Sequence, residues 1–195
     1  MVDLNFVLRV DPDVPLRETI ITLAELVGEG KIGGVALCEM ELSLFNTDPL
    51  TNGITDTCFE LNIPIYESVV SSMLTGQYKS HDDFLERDIQ KAMPRYQPEN
   101  FAVNMKSVQE LEKLAIKKRC TPAQLALGWA LTLSKQKHMP VIIPIPGSVR
   151  PEMIKENSTP VQLSQEEMNE IDIVLAQFEV AGDRYGARAM RLVNG

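Results

Sequence analysis

A chain of 195 residues with 44% hydrophobic and 24% charged residues is long enough to bury one sizeable core. Its formal net charge of -8 argues against a nucleic-acid partner. The one basic run, Lys117-Lys118-Arg119, closes a helix, where it complements the negative end of the dipole. Apolar runs are too short to cross a bilayer, and the N-terminus lacks a signal-peptide pattern. Cys38, Cys58 and Cys120 share no close spacing and read as reduced thiols of a cytoplasmic protein. His81 and His138 lie too far apart to begin a metal site.

Short apolar strands alternate with amphipathic helices, the pattern of a parallel α/β protein. Leu4 to Arg9 reads as a strand, residues 11–15 as a turn, and Leu16 to Gly28 as a helix with Leu16, Ile20, Leu23 and Val27 on one face. Gly34 to Cys38 is a second strand and Glu41 to Phe45 a third candidate. A helix from Pro49 to Leu61 leads into the strand Ile63 to Tyr66. Residues 68–100 are loop-like, with Ser80 to Asp83 capping a short turn. The next helix spans Glu99 to Lys118, with Phe101, Val108, Leu111 and Ala115 inward. Thr121-Pro122-Ala123-Gln124 is a capping box that opens a helix carrying Leu125, Trp129 and Leu133. Val141 to Ile145 is the last strand. Ser164 and Glu167 cap a final helix lined by Met168, Ile171, Leu175 and Phe178.

One junction breaks the alternation. Only Glu39 and Met40 separate the second strand from the third candidate, whereas neighbouring parallel strands need a crossover of about a dozen residues or more. A hairpin there would want Gly or Asn. A continuous or kinked strand is expected instead, as if one βα unit had been lost.

The sharpest chemical signal is Ile143-Pro144-Ile145-Pro146-Gly147-Ser148-Val149-Arg150, followed by Pro151 to Asn157. A strand delivers a Gly-Ser turn to a short helix, so backbone N–H groups, the Ser148 hydroxyl and the Arg150 guanidinium are candidates to face one anion. Asn157 offers an amide to a base edge. The competing explanation is a plain turn with a solvated arginine.

Several segments in fixed order carry a resemblance: Gly30 to Gly34 (GKIGG), Leu74 to Gln77 (LTGQ), Pro94 to Phe101 (PRYQPENF), Thr121 to Leu127 (TPAQLAL), Ile143 to Ser148 (IPIPGS) and Gly182 to Tyr185 (GDRY). Over nearly its whole length the chain resembles the aldo-keto reductases, most closely the branch of fungal pyridoxal reductases. The resemblance implies an α/β fold, a (β/α)8 TIM-type barrel, of which residues 1–195 would form a single incomplete domain lacking the first strands and one crossover helix. It implies NADP(H) as cofactor and a small-molecule carbonyl, pyridoxal-like or from fungal secondary metabolism, as substrate. Gly147, Ser148 and Arg150 then correspond to the 2'-phosphate grip, and Glu156 and Asn157 to the adenine side. Tyr66 corresponds to the ring that stacks on the nicotinamide, and Cys38 to a carboxamide-contacting serine. Met153 stands where the family commonly has an arginine, and the polar nicotinamide partner falls near Glu39.

The same resemblance assigns the family's catalytic Asp, Tyr and Lys to the first three strands, so no catalytic residue is expected here. Leu8 occupies the place of the usual histidine and cannot transfer a proton. Tyr78, Tyr96 and Tyr185 do not fall at strand ends. The expected function is therefore a carbonyl reductase that is impaired or inactive as this chain. The alternative is a non-catalytic nucleotide-binding or interaction protein, or a decayed gene product. Oligomeric state is left open.

Overall fold

Four parallel strands hydrogen-bond side by side in the order of the sequence: β1 (Asn5–Phe6), β2 (Val35–Met40), β3 (Ile65–Glu67) and β4 (Ile142–Pro144). They belong to a computed structural model that describes residues 3, 5–6, 13–67, 72–76, 78–148 and 150–190. Leu4 and residues 7–12, including Leu8, lie outside the described residues, so the expected first strand is seen only at Asn5 and Phe6. Parallel neighbours require crossovers, and helices supply them: α1 (Leu16–Gly28), α2 (Ile54–Glu60), then α3 (Pro98–Lys118) with α4 (Pro122–Leu133). Beyond β4 follow α5 (Pro151–Asn157), α6 (Gln165–Gln177) and a short α7 (Ala187–Met190).

The irregular junction is where β2 forms. Its first residues pair with β1 (Asn5 with Val35, Phe6 with Ala36), and its later ones with β3 (Leu37 with Ile65, Glu39 with Tyr66, Met40 with Glu67). The register slips between Leu37 and Glu39, which places Cys38 as the extra residue of a bulge. The strand is thus continuous as far as Met40, but the expected extension through Phe45 does not form. Ser43 and Asn46 exchange backbone hydrogen bonds of 3.0 and 2.9 Å. The Ser43 hydroxyl also accepts the Phe45 N–H at 3.1 Å. This tight turn pushes Leu42, Leu44 and Phe45 into the core. An apolar run without a neighbouring strand satisfies its backbone locally and still buries its side chains.

Other boundaries move by a few residues. The helix expected from Pro49 starts at Ile54, preceded by a single 3-10 turn at Asp48–Leu50. The strand expected at Ile63 to Tyr66 is Ile65–Glu67, and the last strand is shorter than Val141 to Ile145. The long helix begins at Pro98, and its inward face is the expected one. Thr121 caps α4 by accepting the Gln124 N–H at 3.1 Å. Ser164 does the same for α6 with Glu167 at 3.3 Å.

The main core lies under the loops and between α3, α4 and α6, with Trp129, Leu111, Met73, Leu74 and Ile171 among its buried members. A smaller cluster, Ile20, Cys58, Ile63 and Ile65, ties α1 and α2 to β3. Among the described residues no helix is long and apolar enough to cross a membrane.

Candidate functional site

Because the strands are parallel, their C-terminal ends open onto one face, and the described residues that follow β2 and β4 gather there. In (β/α) barrels that face carries the site. The loop after β4 brings Gly147, Ser148 and Arg150 to the start of α5. The Ser148 hydroxyl accepts the Arg150 backbone N–H at 3.2 Å, a local turn that fixes the loop's exit. Arg150 precedes the helix with extended backbone and is exposed; its Nε lies 3.1 Å from the Met153 sulfur, a weak acceptor. Among the described residues nothing lies within 4 Å of the point where a Cβ would sit on Gly147, so a ligand has room to approach that backbone. Glu156 accepts a hydrogen bond from the Thr121 hydroxyl, which ties the last turn of α5 to the cap of α4. Asn157 ends α5, half-buried.

The strand-end residues divide by face. Ile65 and Glu67 are buried and Tyr66 is half-buried, as alternation along a strand requires. Ile65 packs against α1 and α2, so Tyr66 points to the opposite side of the sheet. Glu67 carries no functional assignment in the sequence. Among the described residues neither of its carboxylate oxygens has a hydrogen-bond partner, and burial pushes its pKa from 4.5 to about 9. Cys38 and Glu39 are placed by their backbone in β2; their side chains lie outside the described residues.

Of the remaining tyrosines, Tyr78 stacks on Phe84 with ring centroids 4.1 Å apart, and Tyr96 is buried against the same ring. Tyr185 lies on the C-terminal tail. None of these three is at a strand end. Among the described residues no group of His, Cys, Asp and Glu is arranged to hold a metal ion.

A second feature of the same face had no sequence signal of its own. Glu41 follows β2, Arg95 lies in the loop before α3, and Arg184 lies near the end of the described chain. Arg95 Nη1 donates to Glu41 Oε1 at 3.0 Å, and Arg184 Nε lies 2.6 Å from Oε2, a charge contact without hydrogen-bond alignment. The tail is held down by Asn104, whose amide donates to the Ala181 carbonyl at 2.9 Å and accepts the Ala181 N–H at 2.8 Å. The Arg95 N–H donates to the Asp183 carbonyl at 3.2 Å. Between tail and loops lies a cavity of about 390 Å³. The motifs PRYQPENF and GDRY meet at this cluster; their pairing is a tertiary fact.

Parallel strands in sequential order, with helical crossovers and their loops on one face, define a partial (β/α) barrel with a candidate nucleotide loop. The Aldo/keto reductase family model matches residues 1–176, and the chain belongs to that family. It is 33% identical to a candidate pyridoxal reductase of Saccharomyces cerevisiae, over 94% of this chain and 64% of that protein. It is 31% identical to an aldo-keto reductase of Gibberella moniliformis, over 98% and 64%. To an aldo-keto reductase of Schizosaccharomyces pombe whose name carries NADP(+), it is 34% identical over 94% and 60%. The chain thus spans 60 to 64% of the length of these relatives. The matches run over 222, 216 and 209 positions, more than the 195 residues of the chain. The relatives therefore carry internal residues without a counterpart here, which agrees with an omitted βα unit. Among solved structures, the fold is similar to a glycerol dehydrogenase of Gluconobacter oxydans, with a TM-score of 0.68 at 23% identity over 90% of this chain and 59% of that one. It is also similar to a thermostable aldo-keto reductase, with a TM-score of 0.54 at 22% identity over 89% and 60%.

Proposed function

We propose that the chain is part of an NADP(H)-dependent reductase of small-molecule aldehydes or ketones, pyridoxal-like or of fungal secondary metabolism, and that this polypeptide alone binds the cofactor without turning substrate over. The observation that carries the reading is the exposure of Gly147 and Arg150 after the last strand of a parallel sheet, in a member of the aldo/keto reductase family. The residues present fit the adenosine end of the cofactor. Gly147 leaves its backbone approachable, and among the described residues the exposed Arg150 guanidinium meets the Met153 thioether. With α5 only seven residues long, Arg150 rather than a helix dipole supplies most of the attraction for phosphate.

Ser148 shapes the turn that presents Arg150, and Glu156 and Asn157 stand on the adenine side. Tyr66 and Cys38 would border the nicotinamide. The cofactor, when bound, supplies the hydride for carbonyl reduction. The resemblance assigns the family's catalytic Asp, Tyr and Lys to strands outside the segment this chain matches, and that assignment is why binding without turnover is expected. We place the protein in the cytoplasm, a reading supported by the lack of close spacing among Cys38, Cys58 and Cys120.

NADPH fluorescence titration followed by absorbance at 340 nm with pyridoxal tests both halves. Binding is expected, with no consumption of NADPH. Arg150→Ala is expected to weaken NADPH about tenfold or more while leaving NADH nearly unchanged, because a charged hydrogen bond to the 2'-phosphate is lost. Turnover by this chain alone would refute the missing-acid reading. Equal loss for both cofactors would remove Arg150 from the 2'-phosphate.

A further inference from the structure

The cavity at the sheet's C-terminal face falls within the volume range of small-molecule pockets. Its buried wall contains Arg95 and Arg184, which share the single carboxylate of Glu41. Arg95 is 7% exposed, and its Nε is buried without a hydrogen-bond partner. Two guanidinium charges thus meet one carboxylate, and among the described residues one positive charge in this wall has no buried counter-charge. An unmatched charge held out of water is costly, and an incoming anion relieves that cost.

Three further carboxylates line the cavity, from Asp48, Glu179 and Asp183. Counting charges without regard to position, they would favour a cation. All three residues are exposed, however, and exposed charges are screened by water and salt far more than buried ones. The balance at the wall is set by the arginines and Glu41, and it is positive.

We propose that this cavity takes the anionic end of a small carbonyl compound, a carboxylate or a phosphate ester, against Arg95 and Arg184. Only the carbonyl half of that ligand rests on the reductase reading above; the anionic half rests on the arginine pair.

Isothermal titration calorimetry on the full chain, without cofactor, tests it with three probes: benzoylformate, its neutral methyl ester, and inorganic phosphate. Benzoylformate or phosphate is expected to bind, the former about tenfold tighter than its ester, the margin of a charge-assisted hydrogen bond. Whichever anion binds tighter identifies the source of the charge. Arg184→Met is expected to abolish the preference for acid over ester, and Arg184→Lys to retain part of it. Glu41→Gln removes the competing carboxylate and is expected to tighten anion binding several-fold, a gain that a misfolded variant cannot produce. Equal affinity for acid and ester overturns the proposal. So does an acid preference that survives Arg184→Met, or the failure of both anions to bind. Because no cofactor takes part, failure of NADPH binding or turnover bears on the reductase reading alone.

Discussion

Glu67 sits at the end of β3 with its carboxyl buried and, among the described residues, neither oxygen partnered. Desolvation raises its pKa from 4.5 to about 9. An unfolded chain releases this proton near pH 4.5, while the folded chain keeps it to about pH 9. Across that window the native state binds more protons, so stability falls as pH rises, by about 1.4 kcal/mol per pH unit from this group. Glu67→Gln is expected to flatten that slope in urea unfolding followed by circular dichroism from pH 5 to pH 9. Parallel curves for the two proteins would show that the carboxyl reaches water or a partner. Arg119 presents a different strain: it ends α3 with φ 58°, in the left-handed region that most helices give to glycine. Arg119→Gly is expected to raise stability by about 1 kcal/mol, read as a shift in the urea midpoint.

At the scale of elements, α4 shows how far a periodic pattern carries. The expected core residues Leu125, Trp129 and Leu133 are buried, but so are Ala123, Ala126, Leu127, Gly128 and Ala130. A helix buried nearly all round follows from what covers it, and its sequence names only the widest residues. Gly128 marks the closest approach: a Cβ there would meet the Val161 carbonyl oxygen at 2.5 Å, a backbone atom that cannot move aside cheaply. Gly128→Ala is expected to destabilise by about 1–3 kcal/mol despite the better helix propensity of alanine. An unchanged or higher melting temperature would show that the 158–163 segment is loosely held. Caps were easier to read. Thr121, Gln124, Ser164 and Glu167 hydrogen-bond as their spacing dictates, because a capping box needs only local backbone.

For the whole molecule, the four described strands form an open sheet with two outer strands. Within the described residues β1 and β4 each pair on one side only. The Ile145 N–H donates to the Glu67 carbonyl at 2.8 Å, so alternate residues of β4, Pro144 among them, direct their backbone away from β3. A proline there presents no donor to an incoming strand, a known protection of edges. Pro144→Ala restores that donor and is expected to increase self-association, measured by light scattering against concentration. Identical scattering from both proteins would mean that this edge is already covered.

The sequence determined by itself whatever depends on neighbours within a turn or two: the helices α1, α3, α4 and α6, the caps of α4 and α6, the inward stripe of α3, and the parallel class of the sheet. It also exposed the missing crossover, since two residues between strand segments cannot span a sheet. The order of family segments identified the candidate cofactor loop. Tertiary structure alone decided that Glu41 to Phe45 turns into the core, that Glu67 is sealed from water, and that Glu41, Arg95 and Arg184 share one cluster. Those outcomes depend on residues dozens of positions apart, whose distances are set by packing and not by any local period.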